Sequence, residues 1–259
     1  MTSQKTILLS FDVEEFDLPC EYGIAISKDE QMHVGMEGTL AMQKILAQMD
    51  VTATLFTTAS FAETWPSMMQ QLATEHEVAS HSYYHTDFKN EDLLLSRLKL
   101  EEICGTKVHG LRMPRFKKID LLLVQEAGYE YDSSINPTYM PGRYNNRHLP
   151  QTKYKENGLW RVPLSVTPHL RIPLFWMAFK NFPLAFYKYL ALNTLKKHGY
   201  LSLYFHPWEF TDLRKYKIPF YLKKGSGDAI SQKLTYFINA LKKEAAFKTI
   251  HSFLNEERN

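Results

Sequence analysis

Two histidines four residues apart, in His81-Ser82-Tyr83-Tyr84-His85, and the acidic run Asp12-Val13-Glu14-Glu15 are the residues of this chain best able to do chemistry. Two imidazoles and a carboxylate can give a divalent metal three protein ligands and leave a position open for water, which is the arrangement a hydrolase needs. Three more clusters follow along the chain: Arg112-Met113-Pro114-Arg115, Asp132-Ser133-Ser134 and Phe205-His206-Pro207-Trp208. They leave a carboxylate, an arginine and a third histidine for proton transfer. An isolated pair of histidines at this spacing is a weak signal, as common at helix caps and on surfaces as at metals. The weight lies in all five clusters occurring together.

Such clusters need a scaffold that brings distant segments to one place. Strand-like apolar runs recur at Thr6–Phe11, Val51–Thr57, Glu77–Ser80, Val108–Met113, Tyr129–Ser133, Trp160–Leu164 and Leu201–Phe205, with a weaker one at Lys248–Phe253. Between them, Met36–Met49, Phe61–Glu75, Glu91–Cys104, Ile119–Ala127 and Asp228–Glu244 carry apolar residues at helical spacing. Asn90 and Asp228 read as helix N-caps, and Gly128 and Gly199 stand where a helix should stop. Alternating strands and helices predict an α/β barrel. Asp12, His81, Arg112, Asp132 and His206 each fall at or just beyond the C-terminal end of a predicted strand, and in a barrel those ends meet at one face. The segment Asn136–Pro173, rich in Pro, Arg and Asn, reads as long loops over that face.

The composition fits this scaffold. A chain of 259 residues, 44% hydrophobic and 23% charged, matches one barrel-sized domain over residues 1–259. Lys and Arg number 31 against 28 Asp and Glu, a net charge of +3 spread along the chain, which disfavours a nucleic-acid partner. The N-terminus runs into the first strand without an apolar segment of signal-peptide length, so a cytoplasmic location is expected. Cys20 and Cys104 lack CxxC spacing and read as reduced thiols. The apolar stretch Ile172–Phe179 is too short to span a bilayer. The aromatic residues around it (Phe175, Trp176, Phe179, Phe182, Phe186, Tyr187 and Tyr189) suit a helix packed on the barrel, with a lid or peripheral membrane contact as the alternative.

In this order the five clusters resemble those of the polysaccharide deacetylases, the NodB-homology or carbohydrate-esterase-4 group, over Thr6 to about Glu209. The nearest likeness is to the branch whose first motif reads Phe-Asp-Val-Glu (Phe11 to Glu14) and whose last reads His-Pro-Trp-Glu (His206 to Glu209), often associated with exopolysaccharide biosynthesis. The resemblance implies a distorted (β/α) barrel of seven or eight strands. It implies a hydrolase that removes acetyl groups from an amino sugar of a polysaccharide or glycan precursor with a divalent metal, usually zinc.

Carried over residue by residue, the resemblance makes Asp12 the general base, kept ionised by Arg112, and His81 and His85 metal ligands. His206 becomes the acid that protonates the leaving amine, with Asp132 holding its ring. The family's first motif has two adjacent aspartates, and Val13 breaks that pattern, so the acidic ligand passes to Glu14 or, second, to Glu15. Alternation of side chains beyond a strand places Glu14 with Asp12 and favours it over Glu15. Trp208, Pro114 and Arg115 are the candidate substrate contacts, with core packing or a surface ion pair as their plainer readings. Val13 also leaves open a metal-independent hydrolase of a small cyclic or linear amide on the same fold. A glycan-binding barrel without activity is the third reading, disfavoured because a binding module has no use for a matched acid and base.

Overall fold

The computed structural model describes residues 4–256. Eleven strands occur among them: β1 (Thr6–Val13), β2 (Thr54–Thr57), β3 (Glu77–Ser80), β4 (Gly110–Leu111), β5 (Tyr131–Asp132), β6 (Tyr139–Met140), β7 (Tyr144–Asn145), β8 (Tyr154–Glu156), β9 (Leu159–Arg161), β10 (Tyr200–Phe205) and β11 (Ala246–Phe247). The helices are α1 (Lys28–Met49), α2 (Ala59–Thr64), α3 (Pro66–Leu72), α4 (Asp92–Cys104), α5 (Leu121–Glu126), α6 (Trp176–Asn181), α7 (Leu184–His198), α8 (Phe220–Lys223), α9 (Asp228–Leu241) and α10 (Ile250–Asn255).

The main sheet runs β10-β1-β2-β3-β4-β5-β9-β8, parallel throughout except for β8, which forms an antiparallel hairpin with β9. It curls until its two sides meet: beyond β9, the Ser165 amide donates to the Ser202 carbonyl at 2.9 Å, and the Ser202 amide donates to Ser165 Oγ at 2.9 Å. The result is the distorted α/β barrel expected from the sequence, with seven parallel strands.

The two faces of β1 show how the barrel is filled. Ile7, Leu9, Phe11 and Val13 join the outer core beneath the helices, whereas Leu8 joins Phe56, Ala79, Tyr131 and Val162 in a separate inner cluster. Strand alternation therefore turns Ser10 and Asp12 inward as well, one and two steps above Leu8 toward the C-terminal face. The predicted strand Lys248–Phe253 is a correction. Only Ala246–Phe247 pairs, beside the start of β1, and the chain then turns into α10. Thr249 caps that helix, and Ile250 and Leu254, four apart on one face, plug the inner cluster from below.

Helix α1 begins at Lys28, capped by Ser27, two turns before the expected start at Met36. Its early turns hold Gly35 and Gly38, which lower helix propensity. Both glycines are contact points: a Cβ at Gly35 would overlap the Glu14 carbonyl, and one at Gly38 would overlap the Pro207 carbonyl. The aromatic stretch splits at Pro183 into α6 and α7. Phe179 and Tyr187 are buried against Phe205 and Phe237, while Phe186 and Tyr189 face solvent. Gly199 ends α7 in the left-handed conformation, as expected, whereas the residue before α4 is Glu91 rather than Asn90, and Gly227 precedes Asp228 at α9. The segment 136–173 carries the β6–β7 and β8–β9 hairpins rather than bare loops. Both thiols are free. Among the described residues no helix is long and apolar enough to cross a membrane.

Candidate active site

At the C-terminal face of the sheet, Asp12 near the end of β1 meets Arg112, which follows β4. Arg112 Nη1 donates to Asp12 Oδ1 at 2.6 Å. The guanidinium is fully buried, lies 4.0 Å from the Phe56 ring centre, and gives three more hydrogens to Ser10 Oγ at 3.0 Å, Ser133 Oγ at 3.1 Å and the Ser133 carbonyl at 3.3 Å. A buried arginine with its donors used this way has little freedom, so the Asp12 carboxyl group is held in one orientation.

Beside this pair, Glu14, His81 and His85 come together, all buried. His81 Nε2 and His85 Nε2 each stand 3.1 Å from Glu14 Oε2. The opposite ring nitrogens are engaged: His81 Nδ1 donates to the Arg112 carbonyl at 2.8 Å, and His85 Nδ1 to Asp17 Oδ2 at 2.8 Å. Those acceptors place the proton on Nδ1 and the lone pair on Nε2. Were both rings neutral, two lone pairs would face one carboxylate oxygen, which is repulsive unless a positive charge sits among them. Burial by itself would raise the Glu14 carboxyl, yet His85, His81 and His206 around it hold it well below the usual carboxylate range. Burial likewise lowers His85, but Glu14 and Asp17 outweigh it and push the ring up to about 9. A proton on His85 answers the Glu14 charge in the protein as it stands. A divalent cation would do the same with both rings neutral.

The donor set fits such an ion. Donors bonded at about 2.0–2.2 Å to one centre stand roughly 3–3.5 Å apart, as the two imidazole–carboxylate separations do. Glu15, the other acidic candidate, points away: it accepts from Lys28 Nζ at 2.7 Å and from Thr58 Oγ1 at 3.1 Å.

His206, after β10, completes the cluster, with Nε2 4.0 Å from Asp12 Oδ2 and 3.9 Å from Glu14 Oε1. Burial lowers its pKa, and the carboxylates of Glu209, Glu14 and Asp12 raise it further than burial lowers it, so the net shift is upward. The ring stacks on Trp208, 4.5 Å between centroids at 20°, and meets the edge of Trp176 at 5.1 Å. Trp208 Nε1 donates to Glu14 Oε1 at 3.2 Å, so the indole ties the two histidine sites together.

Asp132 does not hold His206, which corrects the sequence reading. It is fully buried, accepts from the Ser134 hydroxyl and amide, and receives Arg161 Nε at 3.1 Å. The end of β5 faces β9 rather than β10, so position at a strand end fixed its face of the barrel and not its neighbour. Pro114 is buried at the start of a 3-10 turn, and Arg115 reaches Asp17 at 2.8 Å and Glu21 at 2.6 Å. Both Trp208 and Arg115 line the cleft above Asp12 and Glu14.

Three contributors escape sequence reasoning. Asp17 lies just past the acidic run and orients His85. Trp176 belongs to the aromatic stripe, whose spacing gives no hint that it touches a histidine. Glu209 and Lys180 form an ion pair at 3.2 Å with both side chains fully buried, and Glu209 accepts the His206 amide at 3.0 Å. A second histidine–carboxylate group, His109, Glu130 and His251, gathers at the opposite end of the sheet. Its imidazoles stack 3.5 Å apart at 10°, and His109 Nδ1 lies 2.7 Å from Glu130 Oε1.

This fold and cluster go with a sequence pattern. Residues 1–131 match the polysaccharide deacetylase family, to which the chain belongs. The fold is similar to that of a Mycobacterium smegmatis protein assigned to the polysaccharide deacetylases, at 18% identity and a TM-score of 0.68 over 99% of this chain and 91% of that one. It is also similar to PuuE allantoinase (15% identity, TM-score 0.64, 97% and 90% of the two chains). A third similar structure is the peptidoglycan N-acetylglucosamine deacetylase Bc1960 (18%, 0.54, 97% and 89%). At such identities these likenesses speak for the fold alone. None of the curated proteins compared matches the chain.

Proposed function

We propose that the protein is a metal-dependent N-deacetylase acting on an acetylated amino sugar of a glycan or glycan precursor. The observation that carries this reading is the meeting of the Asp12–Arg112 pair, the Glu14–His81–His85 group and His206 within about 4 Å of one another. A divalent cation held by Glu14, His81 and His85, zinc being the first choice for such nitrogen and oxygen donors, would polarise the amide carbonyl and acidify water.

The remaining steps fall to the chain's own residues. Asp12, fixed through Oδ1, has Oδ2 free to take a proton from the attacking water. Arg112 fixes the orientation of that carboxyl group before and after the proton arrives. His206, whose raised pKa keeps it protonated further into the neutral range than an ordinary imidazole, gives its proton to the amide nitrogen as the carbon–nitrogen bond breaks. With Asp12 Oδ2 and His206 Nε2 4.0 Å apart, one substrate atom can lie within about 3 Å of both. Trp208 and Trp176 wall the cleft, exclude bulk water and offer flat apolar surface to the acetyl methyl or a sugar face.

The test is acetate release from N-acetylated oligosaccharides by zinc-supplied protein. Asp12→Asn and His206→Ala should each lower turnover by about 10²–10⁴-fold with the fold retained. Full activity in either variant removes that residue from the mechanism. A metal-independent hydrolase of a small amide is the second reading, favoured by Val13, whose side chain is buried in the outer core and offers no ligand. Turnover of a small amide that survives chelation would select it.

A further inference from the structure

Next to the catalytic cleft lies a larger one of about 580 Å³, bounded by the turn at Pro114–Phe116 and the two hairpins. Its charged lining is Arg115, Lys117, Lys118, Arg143 and Arg161 against the single carboxylate of Glu156. Asp17, Glu21 and Asp132 also pair with these arginines, so five cations meet four carboxylates and the surroundings of the cleft keep a net positive charge of one. Charge of one sign gathered in a concave, low-dielectric wall focuses the field and raises the local concentration of anions.

The arginines are held in place. Arg161 is fixed by Asp132 at 3.1 Å and Glu156 at 2.6 Å, Arg115 by Asp17 and Glu21, and Arg143 by Glu21 at 3.2 Å. Buried Asp132 thus anchors the inner arginine of this wall. Lys117 and Lys118 are exposed and, among the described residues, neither takes part in an ion pair; Lys117 Nζ lies over the Phe88 ring, 5.1 Å from its centre, and Lys118 is the more open to a ligand.

The two clefts adjoin, since Arg115, Phe116 and Arg143 line both. At that junction Arg115 and Phe116 both adopt left-handed backbone, each with φ 54°. Two successive side-chain-bearing residues in this region persist where surrounding contacts over-determine them. Here the Asp17 and Glu21 contacts do so, and the strained turn presents a guanidinium and a ring to both clefts.

We infer that the substrate is an acidic glycan. Its oxyanion, a phosphate ester or a carboxylate near the acetylated residue, lies in the basic cleft while the acetamide lies between Asp12 and His206. This rests on the deacetylase reading and adds the charge class of the sugar. Arginine forks and lysine ammonium groups serve phosphate and carboxylate alike.

Calorimetric binding to the zinc-supplied full chain tests it with three probes: N-acetylglucosamine 1-phosphate, an N-acetylglucosaminyl-glucuronic acid disaccharide and neutral di-N-acetylchitobiose. At least one anionic probe should bind about tenfold tighter than the neutral one at low ionic strength, a preference that salt weakens. Whichever anion is preferred names the source of the charge. In Lys117→Ala/Lys118→Ala, which alters two exposed side chains, the preference should shrink by about threefold to tenfold. Equal binding of all three probes, or a preference untouched by the double substitution, overturns the inference. Acetate release from the neutral probe without any anion preference would sink this inference and leave the deacetylase reading standing. Anion preference without acetate release from any probe would do the reverse.

Discussion

Alanine at Gly38 is expected to damage both the fold and the site, although general helix propensity says the opposite. In an open helix, alanine is more stable than glycine by about 0.5–1 kcal/mol. Here the new methyl would overlap the Pro207 carbonyl and lie 2.7 Å from the Trp208 amide nitrogen, and both are backbone atoms that cannot rotate aside. Forcing a methylene into a packed contact costs about 1–3 kcal/mol, and a backbone obstacle belongs at the upper end. The net loss is then roughly 2 kcal/mol, or about 4–8 °C in Tm for a chain of this length. The turn that must yield carries His206 at its start and Trp208 within it. A shift of about 1 Å in such groups can lower turnover by about 100-fold. Calorimetric melting and acetate release check the two effects together. A Gly38→Ala protein that melts no lower than wild type and turns over normally would refute the claim that α1 seats the His206 turn through this glycine.

Three other outcomes follow from buried charge. Asp17→Ala removes the acceptor of the His85 Nδ1 proton and should weaken zinc binding by about 10–100-fold, measured by competition with a chelator. Lys180→Met leaves Glu209 buried without its counter-charge and should cost about 3–5 kcal/mol in urea unfolding, whereas Lys180→Met combined with Glu209→Gln should cost less. Burial raises the Glu209 carboxyl, but Lys180 and His206 lower it further, so its folded pKa lies below the ordinary 4.5. The stability this adds is present above pH 4.5 and fades as pH falls through the folded value, so the gap between wild type and Glu209→Gln should narrow in acid.

How far the sequence could be read depended on what kind of information each residue needed. The alternation that separates Glu14 from Glu15 is local, and the structure sends Glu15 to Lys28 and Thr58 while Glu14 meets the histidines. Asp132 needed a non-local fact, the order of strands around the barrel, which places it opposite β9 and Arg161 instead of beside His206. The run Lys248–Phe253 has strand-like composition, yet Ile250 and Leu254 are spaced for a helix that closes the barrel floor. Gly35 and Gly38 hid the first turns of α1 because they serve contact with the Glu14 and Pro207 backbones rather than the helix itself. The basic cleft was invisible for a related reason: its cations come from three separated stretches, each of which reads singly as an ordinary solvated surface.

The central claim is that Glu14, His81 and His85 form one cation site, and zinc titration by calorimetry into chelator-stripped protein tests it most directly. Wild type and Glu15→Gln should bind with the same affinity, whereas Glu14→Gln should bind at least about tenfold more weakly, as expected when a group at the ion is lost. Glu14→Gln binding zinc as tightly as wild type, or a loss confined to Glu15→Gln, would contradict the assignment.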